Sequence, residues 1–172
     1  VSPPRSPNPL NDTFIQAGVE CQIPRNDDFN GATQEGIGFY ELTQDNGRRC
    51  STAHAYLTPA NNRENLTIFK PSIAEKVMIE NGRAIAVRAK IDGRAQIIRA
   101  NKEVILSCGA FQSPQLLLLS GIGPKSKLEE HKIDQVLELP GVGENLTDHL
   151  DYSLIYESDS EYCLGRNARS VF

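Results

Sequence analysis

A chain of 172 residues is long enough to bury one apolar core, and its 39% hydrophobic and 23% charged content is that of an ordinary globular protein. The net charge of −4 leaves no basic excess to neutralise phosphates, which argues against nucleic acid as a partner. The longest apolar run, residues 116–119, falls far short of the roughly 20 residues a spanning helix needs, so no transmembrane segment is expected.

The chain starts at Val1 with neither methionine nor a signal-peptide core, and this reads as a cut end. Residues 1–9 are proline-rich and are expected to be extended or poorly ordered. Residues 10–21 read as a short helix, with Asn11 or Asp12 as N-cap and Phe14, Ile15 and Val19 at helical spacing. Residues 24–36 crowd Pro24, Asn26, Asp27, Asp28, Asn30, Gly31 and Gly36 into a turn-rich segment. Residues 39–43 look like a strand, with Asn46-Gly47 as the turn after it. Residues 51–57 look like a short helix stopped before Pro59.

The middle of the chain carries the plainest pattern. Residues 66–69, 73–79, 84–91 and 95–98 are rich in β-branched side chains. Asn81-Gly82 and Asp92-Gly93 separate the last three runs, and such dipeptides between alternating apolar segments predict hairpins. The expectation is an antiparallel three-stranded meander with the first run nearby. Residues 103–107 read as a short strand buried on both faces. A helix follows, with Ser113 as N-cap, Pro114 in its first turn and Gly121 at C′. Residues 124–132 predict a second short helix, 136–139 a strand, and 152–156 the first strand of a further sheet.

The candidate chemical groups are sparse. Gly121-Ile122-Gly123-Pro124-Lys125-Ser126 follows a helix and lacks the third glycine of a dinucleotide loop, and Gly141-Val142-Gly143-Glu144-Asn145-Leu146 fails in the same way. His54, His131 and His149 have no partner at ligand spacing, so no metal site is expected. His131 sits in a charged helix and should be exposed. Asp148-His149 reads as a hydrogen-bonded corner. Cys21, Cys50, Cys108 and Cys163 fit no metal pattern and read as free thiols, at least two of them buried, in a reducing cytoplasm. Cys108 stands near a helix N-terminus, which lowers a thiol pKa, but no histidine adjoins it in sequence, and a packed, inert thiol is expected. Asn11, Asn65 and Asn145 open N-x-T triplets of a kind that arises by chance. The informative element is the strand–Gly109–helix unit over residues 103–121. Its turn presents free backbone N–H groups at a sheet edge, which suits a phosphate or a polar ring edge.

At this unit the chain resembles a known family. Residues 104–124, VILSCGAFQSPQLLLLSGIGP, are similar to the second signature of the glucose–methanol–choline (GMC) oxidoreductases. Residues 139–149, LPGVGENLTDH, resemble that family's next block, with Thr147 in place of the usual glutamine. Residues 28–40 resemble its substrate-side segment, and residues 47–57 with 63–67 its return into the flavin domain. The choline dehydrogenase-like branch is the best match, over roughly residues 8–155. The resemblance implies an α/β fold, α+β within this segment, as part of an FAD-binding two-domain flavoprotein. It implies FAD as cofactor and a small-molecule alcohol as substrate. By resemblance, Ala74 supplies main-chain contacts to the FAD adenine, and Gly109 and Ala110 form the turn whose backbone approaches the cofactor. Asn145, Asp148 and His149 fall in the downstream block and are further cofactor-binding candidates.

The family's G-x-G-x-x-G fingerprint is absent, and so is the C-terminal histidine that accepts the alcohol proton, so no catalytic residue is assigned. The expected division is a substrate-side segment over residues 1–45, a partial FAD-binding domain over 46–147 and the start of a substrate-binding domain over 148–172. Alone, the segment is expected to be inactive, to bind FAD weakly and to self-associate. A non-catalytic binding or structural module built on the same scaffold is the alternative.

Overall fold

The computed structural model describes residues 1–163 and forms two compact units, Val1–Leu66 with the segment from Ser153 onward, and Thr67–Tyr152. In the first unit the proline-rich start is extended and tied down. Ser2 and Leu42 exchange both backbone hydrogen bonds, at 2.9 and 2.8 Å, and Gln44 Nε2 donates to the Pro3 carbonyl at 2.8 Å. Helix α1 covers Pro9–Glu20. Its N-cap is Asn8, whose side chain accepts the Leu10 N–H at 2.9 Å, and Pro9 takes a first-turn position that needs no N–H donor. Asn11 and Asp12 therefore lie inside the helix and are not its cap. Of the expected stripe, Ile15 is buried while Phe14 and Val19 are exposed.

Residues 39–43 do not form a strand; their one ladder contact is the Leu42 bridge to Ser2. The hairpin is shifted onto the turn itself, with β1 at Gln44–Asp45 and β2 at Arg48–Arg49. Asn46 and Gly47 both take positive φ, 50° and 73°, as the turn demands. The next helix is a π turn over Ala53–Leu57 that runs into α2, Thr58–Ala60. Pro59 is thus inside helical structure and does not stop it, because it stands in the first turn of α2, where its missing N–H has no bond to make. Residues 152–156 are not a strand either. They are exposed, and no strand pairs with them among the described residues. The last nine residues of the segment expected over 148–172 lie outside the described residues.

The second unit holds the meander. Strands β3 (Ser72–Glu80), β4 (Arg83–Ile91) and β5 (Arg94–Arg99) lie in that order, all antiparallel. Both hairpins close on two residues with positive φ: Asn81 and Gly82 at 49° and 75°, Asp92 and Gly93 at 48° and 78°. These mirror-image turns match the right-handed twist of the strands. Residues 66–69 do not join the sheet. Val77, Ala86, Ala89 and Ile91 are its buried side chains, and Leu116, Leu128 and Val142 complete the unit's apolar core.

Residues 103–107 form no regular element and pair with no strand among the described residues, and Ile105 is 75% exposed. The expectation of a strand buried on both faces fails for want of neighbours. Helix α3 covers Gly109–Leu119, starting five residues earlier than the Ser113 cap would place it. Cys108 occupies the cap position, and the Ser113 hydroxyl accepts its N–H at 3.0 Å, so Pro114 falls within the helix. Gly121 takes the expected C′ place at φ 83°. Strand β6 (Ile122–Gly123), helix α4 (Lys125–Glu130) and strand β7 (Leu137–Glu138) follow, with β7 parallel to β6. His131 is exposed at the C-cap of α4.

Candidate functional site

Strand β3 is an edge strand: β4 pairs with one side, and the other faces α3. One buried group joins the two. Ser120, with no solvent exposure, accepts the Val77 N–H at 2.8 Å and donates its own proton to the Leu116 carbonyl at 2.6 Å. An N–H that the ladder leaves unpaired on the outer edge of β3 is thereby satisfied by the end of a helix.

Register fixes what lies further along that edge. The Pro71 carbonyl accepts from Asp92 at 3.2 Å, so it points toward β4. In an antiparallel pair the main-chain groups alternate between facing the partner and facing away. Ser72↔Ile91 and Ala74↔Ala89 are therefore the non-bonded pairs, and Ser72 and Ala74 turn their N–H and C=O to the open edge. A bulge at Glu75 then restores the phase that sends the Val77 N–H to Ser120.

Between this edge and α3 lies a groove of about 300 Å³, at the small end of ligand clefts. Ser72, Ile73 and Ala74 form its strand wall. Cys108, Gln112, Gln115, Leu116 and Leu119 form its helix wall. Gly109, at φ 87°, heads that helix, and the position a Cβ would take there meets nothing within 4 Å. The first N–H groups of α3 have no intrahelical acceptor and give this end a partial positive charge. An edge of paired main-chain donors and acceptors, an open glycine and a helix N-terminus together suit the base and phosphate end of a dinucleotide.

The sequence-derived candidates divide into two groups. Ala74 lines the groove opposite Cys108, while Gly109 and Ala110 follow Cys108 at the head of α3 and are not themselves part of the lining. Asn145, Asp148 and His149 do not line it. They occupy an exposed loop in which Asn145 has φ 55° and the His149 N–H donates to Asp148 Oδ1 at 2.8 Å, the expected corner. The loop is held from its N-terminal side, where Val142 is buried and Lys127 Nζ meets Glu144 Oε1 at 2.7 Å. That hydrogen bond, with the charge of the ammonium, holds the Glu144 carboxyl below its ordinary value. Cys108 is exposed on the groove wall rather than packed, and none of the four thiols is buried. For Cys108 the reason is that residues 103–107 pair with no strand among the described residues, which leaves the end of that segment open.

Sequence reasoning missed Ser120, Gln112 and Gln115. The two glutamines interrupt a leucine-rich helix at i, i+3 spacing, and Gln112 stands one turn from Cys108, so periodicity alone places them on one face. Ser120 gave no such signal, because its partner is 43 positions away in sequence.

These features define an α/β flavoprotein segment with an open sheet edge beside a helix N-terminus, and the profile of the GMC oxidoreductases matches residues 1–151. The chain belongs to the GMC oxidoreductase family. It is 50% identical over 149 residues to the oxygen-dependent choline dehydrogenase of Photobacterium profundum, covering 87% of this chain and 26% of that protein. It is 46% identical over 160 residues to an alcohol dehydrogenase [acceptor] of Pseudomonas putida, covering 92% and 29%. Among solved structures it resembles an FAD-dependent oxidoreductase from Chaetomium thermophilum at TM-score 0.76 and 27% identity, over 86% of this chain and 26% of that one. Pyridoxine 4-oxidase from Mesorbium loti follows at TM-score 0.72 and 30% identity, over 81% and 28%. The chain thus spans about a quarter of the length of the curated relatives it matches.

Proposed function

We propose that the protein carrying this segment is an FAD-dependent oxidoreductase acting on the CH–OH group of a small alcohol, of the choline dehydrogenase-like branch. Four family blocks in order and the 50% identity to a choline dehydrogenase support this most directly. The chemistry FAD supplies when bound is acceptance of a hydride from the alcohol carbon, while a protein base takes the hydroxyl proton.

No residue of this segment is given the base's role. Its own share is to hold the cofactor and to support the sheet that does so. Ala74 offers an outward N–H and C=O, the complement of adenine's ring-nitrogen acceptor and amino donor. Gly109 lets the backbone approach without a Cβ in the way. Ala110, in the first turn of α3, adds an N–H that has no intrahelical acceptor. Asn145, Asp148 and His149 are assigned to a second cofactor contact on their own loop. The four free thiols fit a reducing cytoplasm, and no helix among the described residues is long and apolar enough to cross a membrane. The test is the absorption spectrum of the purified full-length protein. Flavin bands that bleach on addition of choline or another small alcohol are expected; a colourless protein that takes up no FAD would end this reading.

A further inference from the structure

We infer that Gln112 reads the adenine of the dinucleotide from the side opposite Ala74, and so selects the base rather than merely lining its slot. This rests on the FAD reading above. Four observations carry it. The strand wall at Ala74 presents main-chain groups to one edge of a base. The helix wall facing it carries two primary amides, Gln112 and Gln115, neither of which makes a hydrogen bond among the described residues. The remaining side chains of that wall are a thiol and two leucines, suited to a ring face but not to a polar edge. Finally, the helix and strand are pinned together at Ser120 and Val77, and Gln112 lies a turn further from that pin than Gln115, beside Cys108 and the open glycine.

A glutamine amide matches adenine at N6 and N7, accepting from one and donating to the other. With Ala74 on the N1 side, the base is addressed on two edges. Hypoxanthine, which carries a carbonyl in place of the amino group, repels both the Gln112 carbonyl oxygen and the Ala74 carbonyl. The site therefore selects adenine over hypoxanthine through a side chain as well as through the backbone.

The experiment reconstitutes the full-length apoprotein with FAD, with its hypoxanthine analogue and with FMN, following flavin fluorescence. The wild type is expected to favour FAD over the hypoxanthine analogue by about ten- to a hundredfold. Gln112→Leu, which keeps the helix and the volume, is expected to weaken FAD by about tenfold, to narrow that preference and to leave FMN affinity unchanged. Gln112→Glu retains an acceptor but loses the donor, and provides a second variant if the leucine variant does not fold. If Gln112→Leu keeps wild-type FAD affinity and preference, or if Gln115→Leu alone shows the loss, the assignment is overturned while the FAD reading stands. A wild-type protein that binds none of the three flavins overturns the FAD reading instead.

Discussion

At the scale of single residues, one hydroxyl does more for this site than its sequence context announced. Ser120 is the only buried polar residue among those described, and it satisfies a strand N–H and a helix carbonyl at once. Removing it strands a buried donor, which costs about 1–3 kcal/mol, more than the net worth of an ordinary hydrogen bond. Ser120→Ala is therefore expected to lower the unfolding free energy by about 1–3 kcal/mol in urea titration, with little change in the slope against denaturant. Because Val77 and Ser120 set the spacing between β3 and α3, the same variant should also weaken FAD in the full-length protein. A loss below about 0.5 kcal/mol, the range of an inconsequential surface change, would show that the N–H finds another partner. Gln112 belongs to the same scale. Both residues act across distances that a reading of neighbours in sequence does not cover.

At the scale of elements, the backbone of the turns decides which substitutions are tolerated. Gly82 and Gly121 both take the left-handed conformation, at φ 75° and 83°. A Cβ at Gly82 meets open space, whereas one at Gly121 meets the Asp134 carbonyl and the Val136 side chain. Gly82→Ala should cost about 1–2 kcal/mol, the left-handed penalty alone. Gly121→Ala should cost clearly more, since the β6–α4–β7 backbone must also shift, and thermal unfolding of the two variants side by side checks the order. Turns of this kind were also what made the fold legible. Asn81-Gly82 and Asp92-Gly93 fixed the meander to within a residue at every strand end, because their chemistry is local. The same holds for Gly121 at the end of α3. What was not legible depends on partners. Residues 39–43, 103–107 and 152–156 have the composition of strands but no ladder among the described residues. The start of α1 moved because Asn8-Pro9 caps more completely than Asn11. Of the candidate site, Ala74 and Gly109 were singled out through resemblance alone, while the groove between Ala74 and α3 required the edge of β3 to be seen.

At the scale of the whole molecule, the balance of buried and exposed apolar surface sets the behaviour of residues 1–172 produced alone. Among the described residues the first unit buries a single apolar side chain, Ile15, and the second buries seven. Against these stand Ile105 and Phe111 at 75% exposure, Ile155 at 92% and Leu150 at 100%. Large apolar side chains this open, in this number, favour association over a solvated monomer. Residues 103–107 pair with no strand among the described residues and so leave main-chain groups open to another chain. Self-association is the expected result. Light scattering behind size exclusion should give a mass that rises with loading concentration, with dye binding that reports open apolar surface. FAD titrated into the same material should bind no more tightly than the micromolar range, because residues 1–172 hold no G-x-G-x-x-G loop to grip the pyrophosphate. A concentration-independent monomer would show that the exposed residues rearrange to cover one another. Sub-micromolar FAD binding would show that the β3–α3 edge alone holds the cofactor, and would move most of the site's affinity onto Ala74, Gly109 and Gln112.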